Sequence, residues 1–331
     1  MTFISKSDLP HLGFVAAVLG FRCLPRPLRL HGCLGVARSI GALWYRLDRA
    51  DAALTRRNLQ GILGHRLTAE QVEATARAIF QHVALHKFIH DIVPGLRPQD
   101  VSQFLTVEGE AYLQQGLAQG RGVILLGAHF GIPGYLQLML MKHLGYQVTA
   151  VLGEDLPPDS SWVYHRLVHP IRHRVRHQFC MIDPNGAPQR EMVACLQRNQ
   201  ILIIPGDAFD QELFQLSSPH VLPAPLLGRT VLLKTGSFRL ARWLKSPMIP
   251  FFIIPRARGF TMIIEPPLSL SEDNRSSGLM ADLAAFTARF EPYLLRYPAL
   301  WLHWRHEALL ELMQTRVQSS EFRVQSYKTE N

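Results

Sequence analysis

The sequence predicts an α/β fold: a mixed, mostly parallel sheet with helices on both faces, preceded by a helical, membrane-associating N-terminal region. Three features carry that expectation. The runs RGVILLGA, YQVTAVL and QILIIP are short and continuously apolar, as in strands covered on both faces. Segments with apolar residues at helical spacing separate them, the alternation of crossover-linked parallel strands. The first hundred residues show helical spacing alone, ending at Pro94, Gly95 and Pro98. The expected divisions are a helical region with an interfacial helix at 1–105, an α/β domain at 106–312, and a polar tail at 313–331.

Within the first region, residues 11–21 form an apolar run that stops at Arg22. Spanning a bilayer takes about 20 apolar residues, so this run suits an interfacial or a buried helix. After LPRPLRL, the segment GCLGVARSIGALWYRLDRA has helical spacing. Thr68 with Gln71 three residues on makes a capping box for a helix reaching about Ile92. Beyond the break, GEAYLQQGLAQG reads as helix, RGVILLGA as strand, PGYLQLMLMKHLG as helix and YQVTAVL as strand. QFCMI predicts another strand, PQREMVACLQRN a helix and QILIIP a strand. The proline-bearing stretch between Gly206 and Gly228 predicts a loop. TGSFRLARWLK predicts a helix, MIPFFII and FTMIIE a strand pair, and 278–297 a closing helix.

The chain has 331 residues, 47% apolar and 18% charged, against about 25% charged in an ordinary soluble domain. That balance excludes a disordered chain, and the 23 Gly and 22 Pro follow no G-X-Y period, which excludes collagen. Lys plus Arg number 35 against 26 Asp plus Glu, a net charge of +9, and 29 of the basic residues are Arg. A greasy, arginine-rich chain favours phosphate groups or an acidic membrane surface as partners. Nucleic acid is not expected, because no reading motif accompanies the charge. Cys23, Cys33, Cys180 and Cys195 are widely spaced and fit a reducing compartment better than a disulfide framework.

Chemistry concentrates at GRGVILLGAHFGIPGYLQ. A buried strand ends at Ala128, His129 follows at its carboxyl end, and Gly131, Pro133 and Gly134 open the next helix. Ligands of α/β sheets bind at the carboxyl ends of strands, glycines there permit close approach of a ligand, and an imidazole takes up protons near neutrality. Asp207 follows the strand QILIIP and a glycine, so it too stands at a carboxyl strand end. The ladder His165, His169, His173 and His177 has metal-ligand spacing, but Pro170 interrupts it and the surrounding arginines repel a cation. Arg166, Arg172, Arg174 and Arg176 suit an anionic ligand or a membrane face. No G-x-S-x-G, G-x-x-x-x-G-K-[ST] or H-E-x-x-H occurs, and no cofactor is implied.

The ordered pieces GRGVILLGAHFG, IPGDAFDQ, LLGRTVLLKTGSFRLARWLKSPMIPFFIIPRARGFTMIIEPPL and YPALWLHWRHEAL, with LPRPLRLHGCLGVARSIG and RRNLQGILG before them, resemble the bacterial lipid A biosynthesis (lauroyl/myristoyl) acyltransferase family. This is a branch of the lysophospholipid acyltransferase superfamily. The resemblance spans residues 20 to 308 or so. It implies an enzyme, peripheral on the cytoplasmic face of a bacterial inner membrane. Such an enzyme moves a fatty acyl chain from an acyl carrier protein or coenzyme A thioester to a hydroxyl of a glycolipid or lysolipid.

The family signature is His, four residues, then Asp or Glu. His129 matches the general base, but Gly134 stands at the acid position, and no acid lies between Glu110 and Glu154. Three readings follow: a distant carboxylate, foremost Asp207, serves His129; a backbone carbonyl does; or the chain keeps a lipid-binding shape without catalysis. The resemblance also implies a functional arginine, for which Arg174 is the nearest match and Arg172 and Arg176 are alternatives. Trp301, Trp304 and Arg305 suit either a membrane interface or packing of the last helix.

Overall fold

A computed structural model describes residues 12, 15–16, 19–20, 23–92, 97–131, 135–151, 162–170, 180–182, 188–207, 220–257, 259–273 and 275–314. Three long helices come first: α1 (Arg26–Leu47), α2 (Arg49–Leu63) and α3 (Ala69–Ile92). Proline in the first turn of α1 costs nothing, since those N–H groups lack helical partners anyway. Asp48 caps α2 by accepting from the Asp51 N–H at 3.1 Å. The capping box of α3 forms as expected. The Thr68 N–H donates to Gln71 Oε1 at 2.8 Å, and the Gln71 N–H returns to Thr68 Oγ1 at 3.2 Å.

The short α4 (Pro98–Phe104) leads into β1 (Leu105–Glu108), then α5 (Glu110–Leu117), β2 (Val123–Gly127), α6 (Tyr135–His143) and β3 (Val148–Val151). After β4 (Cys180–Ile182) come α7 (Pro188–Gln197), β5 (Ile201–Pro205), β6 (Val221–Leu226), β7 (Arg229–Lys234) and α8 (Gly236–Leu244). The chain continues through β8 (Met248–Arg256), β9 (Gly259–Ile264), α9 (Ser276–Arg296), two 3₁₀ turns (Pro298–Leu300, Leu302–Arg305), α10 (Leu309–Leu312) and β10 (Met313–Gln314).

Seven strands form the main sheet in the order β1-β9-β8-β2-β5-β3-β4. Every neighbouring pair is parallel except the hairpin β8–β9, so the sheet is the mixed, mostly parallel one expected. The uninterrupted apolar strands feed two cores. Ile124 and Leu126 of β2 face one with Leu202, Met248 and Phe252; Val123 and Leu125 face the other with Ile201, Ile203 and Ile249. Helix α3 belongs to both, through Ile79 and Phe80 on one side and Ala84, Leu85 and Ile89 on the other. The helical region is therefore clamped to the sheet and shares its core.

The expected loop between Gly206 and Gly228 is partly strand. β6 and β7 form a hairpin closed by Leu227 and Gly228, both at positive φ (55° and 70°), the conformation of a type I′ turn. Pro223 and Pro225 made the stretch read as loop, yet β6 is an edge of its three-stranded sheet, β10-β7-β6, where proline interrupts no second ladder. β10 pairs with β7 and Met313 is buried, so ordered chain runs two residues into the expected polar tail. Residues 315–331 lie outside the described residues, as do 93–96 and most of the N-terminal apolar run, whose positions 12, 15–16 and 19–20 are helical. Among the described residues, no helix is long and apolar enough to cross a membrane.

Asn58, fully buried on α2, donates from Nδ2 to the carbonyls of Trp304 (3.0 Å) and His306 (2.9 Å). Asn58→Ala strips both carbonyls of their donor, that of Trp304 in a buried bond and that of His306 in a partly buried one. The expected loss is about 2 kcal/mol or more of unfolding free energy in urea titration. A change within about 0.5 kcal/mol refutes this tie.

Candidate functional site

Strands β2 and β5 are parallel neighbours with Gly127 opposite Pro205, so the residues just past them emerge side by side. The Gly206 N–H donates to the Gly127 carbonyl at 2.8 Å, carrying the pairing one step further. Gly127 also lies against the Phe251 ring, where a side chain would collide. This register sets His129 beside Asp207. The Asp207 carboxylate accepts the His129 backbone N–H on both oxygens, at 2.8 and 2.9 Å, and His129 Nδ1 lies 2.9 Å from Oδ1. A carboxylate only accepts, so Nδ1 carries the hydrogen and Nε2 is the basic nitrogen of the ring. The two side chains differ in exposure: that of His129 is 37% exposed and that of Asp207 only 3%.

A third segment completes the site. Phe130 bridges Trp301 in antiparallel fashion, the Leu302 N–H donates to the His129 carbonyl at 2.9 Å, and the Gly131 N–H to Leu300 at 3.1 Å. This clasp delivers Trp301 Nε1 to Asp207 Oδ2 at 2.9 Å and His303 Nε2 to within 3.4 Å of the same oxygen. The rings of His129 and His303 stand 4.8 Å apart at 64°. Burial by itself raises the pKa of the Asp207 carboxyl, but the imidazoles of His129 and then His303 outweigh it and hold the group well below the usual carboxylate range. His303 is pushed down by burial, an effect Asp207 partly offsets.

Gly131 has φ +77°, and a Cβ there would collide with the Ile253 carbonyl. Strand β8 therefore passes close to this glycine. On the other side, buried His82 of α3 donates from Nε2 to the Gly131 carbonyl. His82 is neutral: burial pushes its pKa down to about 4, against an opposing effect of the Gly131 hydrogen bond.

His129, Asp207 and His303 each offer a metal-ligand atom, all within 4.8 Å of one another, the one such group among the described residues. The Asp207 oxygens already receive the His129 backbone and ring N–H groups and the Trp301 indole. A cation would have to displace those donors, and the arrangement reads as a hydrogen-bonded relay. Gly134, Arg172, Arg174 and Arg176 lie outside the described residues, as do His173 and His177. Arg166 is exposed on a π-helical turn (Tyr164–Val168), and His165 and His169 have ring centroids 6.4 Å apart. Trp301 and Trp304 are fully buried. Arg305 binds Asp51 through Nε at 2.8 Å and lies over the rings of Trp44 and Phe80, at 4.3 and 5.0 Å. The tail aromatics therefore serve packing, not a membrane interface.

The profile of the family described as "Bacterial lipid A biosynthesis acyltransferase" matches residues 6–309. The chain belongs to that family. Its activity is accordingly the transfer of an acyl group to a lipid, in lipid biosynthesis. A solved structure that resembles this acyltransferase is the 1-acyl-sn-glycerophosphate (LPA) acyltransferase PlsC from Thermotoga maritima. The two are 12% identical, with a TM-score of 0.34, covering 78% of this chain and 97% of that one. No curated protein sequence matches the chain.

Sequence reasoning missed His303, Trp301 as a donor to Asp207, and His82. The first two sit in YPALWLHWRHEAL, where the aromatic cluster signalled packing but not its target. His82 lies mid-helix with no local signal. Because His82 is neutral when folded and titrates near 6.5 when unfolded, unfolding takes up a proton below that value. The stability it contributes is complete above pH 6.5 and is lost as the pH falls toward 4. By about pH 5 the loss is about 2 kcal/mol. The wild-type melting temperature should therefore drop more between about pH 7 and about pH 5 than that of His82→Gln, whose amide keeps the donor without titrating; parallel curves refute the assignment.

Proposed function

We propose that this acyltransferase moves a fatty acyl chain from an acyl carrier protein or coenzyme A thioester to a hydroxyl of a glycolipid or lysolipid, with His129 as general base and Asp207 as the carboxylate that orients it. The observation that carries this reading is the 2.9 Å contact between His129 Nδ1 and the buried Asp207. It supplies from a neighbouring strand what Gly134 lacks.

Nε2 of His129 takes the proton of the acceptor hydroxyl as its oxygen attacks the thioester carbonyl carbon. The tetrahedral intermediate expels the thiolate, which recovers that proton from Nε2–H, so the products are an ester and a free thiol. Asp207 stays ionised throughout, fixes the tautomer and stabilises the imidazolium. Arg174, with Arg172 and Arg176, binds the acceptor's phosphates through paired guanidinium donors. Gly131 shapes the turn that carries the base.

The enzyme works as a peripheral protein on the cytoplasmic face of the bacterial inner membrane. Val36, Ile40, Leu43 and Leu47 form a single exposed stripe along α1, 38%, 38%, 54% and 73% accessible, on a basic chain of net charge +9. An apolar stripe with cationic surroundings suits an anionic bilayer surface. Leu43→Glu with Leu47→Glu should abolish co-sedimentation with phosphatidylglycerol-rich vesicles while leaving the melting temperature unchanged. Undiminished binding removes α1 as the contact.

Dodecanoyl thioesters of acyl carrier protein and of coenzyme A, offered with bacterial lipid vesicles, test the reaction by mass spectrometry of the lipids. His129→Ala should lower the rate about 10³-fold and Asp207→Asn about 10²-fold or more. Wild-type product formation by His129→Ala discards the base. The missing acid at position 134 favours one second reading, a lipid-binding relative without catalysis; lipid binding with no product from any thioester is its signature.

A further inference from the structure

Acyl transfer as described uses one imidazole, yet two reach the same carboxylate. His129 approaches Asp207 Oδ1 at 2.9 Å, and His303 approaches Oδ2 at 3.4 Å. The His303 ring is held in place by its flanking residues. Trp301 binds Oδ2, the Leu302 N–H binds the His129 carbonyl, and Asn58 holds the carbonyls of Trp304 and His306. These bonds hold the backbone on both sides of His303. A group chosen only to fill this space would more simply be apolar, because an imidazole buried beside aromatic rings carries a desolvation cost.

We infer that His303 is a positioning residue of this site, which takes a share of the Asp207 negative charge through Oδ2 and so sets how strongly His129 is drawn to hold a proton. The inference rests on the proposed role of His129 as base. A buried carboxylate facing one imidazole stabilises the imidazolium strongly, and a base that is already protonated cannot accept from a hydroxyl. Dividing the carboxylate among His129, Trp301 and His303 keeps it ionised while weakening its pull on any one partner.

The groups around His303 fit that role. Burial pushes its own pKa down, Asp207 offsets part of this, and His129 and His306 push it further down, so the ring is neutral, with Nε2 3.4 Å from Oδ2 and outside hydrogen-bond geometry. From α2, Asp51 is engaged by Arg305, and Arg57 donates to the Glu307 carbonyl. From α3, His82 faces the catalytic turn in its neutral form. When His129 gains the proton of the hydroxyl, it therefore meets a neutral neighbour.

The test follows the His129 ring nitrogens by long-range proton–nitrogen correlation in full-length protein labelled with ¹⁵N-histidine, assigned by loss of the signal in His129→Gln. His303→Ala should raise the His129 titration midpoint by roughly half a pH unit or more, the equivalent of part of one hydrogen bond. His303→Phe, which keeps the bulk and removes the ring N–H, should do the same. His303→Gln, whose amide nitrogen can replace Nε2, should return the midpoint to near the wild-type value. A space-filling role gives the opposite sign, since a loosened His129 slips from Asp207 and its midpoint falls. An unchanged or lowered midpoint in both His303→Ala and His303→Phe, or in His303→Phe alone where the alanine variant does not fold, overturns the inference. The spectra need no substrate. An inactive enzyme with the shift in place overturns the acyl-transfer reading alone, and an active enzyme without it overturns the role of His303 alone.

Discussion

A carboxylate with almost no contact with water is tolerable only when its charge is met by donors, because an unpaired buried charge costs several kcal/mol. Asp207 meets that condition with donors from separate parts of the chain, the backbone and ring of His129 and the indole of Trp301, while the imidazole of His303 approaches to 3.4 Å. Each donor is thereby fixed in place. The carboxylate joins the end of β2, the end of β5 and the segment after α9. Protonating or removing it would take away the side-chain tie among the three, leaving the backbone bonds between them.

The helical N-terminal region takes part in the same construction. His82 anchors the Gly131 carbonyl from α3, Asn58 anchors the turn that bears His303 from α2, and Arg305 locks that turn to Asp51 over the rings of Trp44 and Phe80. One side of these helices holds the turn that bears His129 while the outer stripe of α1 remains exposed. Under the proposed function, a layer that meets the membrane and also braces the base would fix the distance between lipid surface and reactive imidazole. That is the arrangement an enzyme needs when its acceptor stays in the bilayer.

The family signature places an acid one helical turn beyond the histidine, and in this chain glycine occupies that position. A parallel sheet offers another solution. Residues following adjacent strands emerge together however far apart they lie in sequence, and the β2–β5 register puts an acid 78 residues away against the imidazole. In the proposed mechanism Asp207 takes that role, because orienting an imidazole requires a carboxylate at hydrogen-bond distance, whichever segment supplies it.

Much of the architecture was legible in the sequence because its signals are local. Uninterrupted apolar strands such as VILLG and ILIIP, the Thr68–Gln71 capping box and the MIPFFII–FTMIIE pair depend on neighbours a few residues away, and each formed as expected. His129 and Asp207 could be nominated from their places after buried strands. The proline-rich β6 was misread because an edge position, which makes proline harmless, is a property of the assembled sheet. The same holds for His303, Trp301 and His82: they matter through partners from 49 to 174 residues away, and no periodicity records such distances. Sequence alone determined most of the segments that become strands and helices, the edge strand β6 excepted, and which family the pattern resembles. Only the tertiary structure decided which donors share the Asp207 charge, because burial and strand register are set by the whole packed chain.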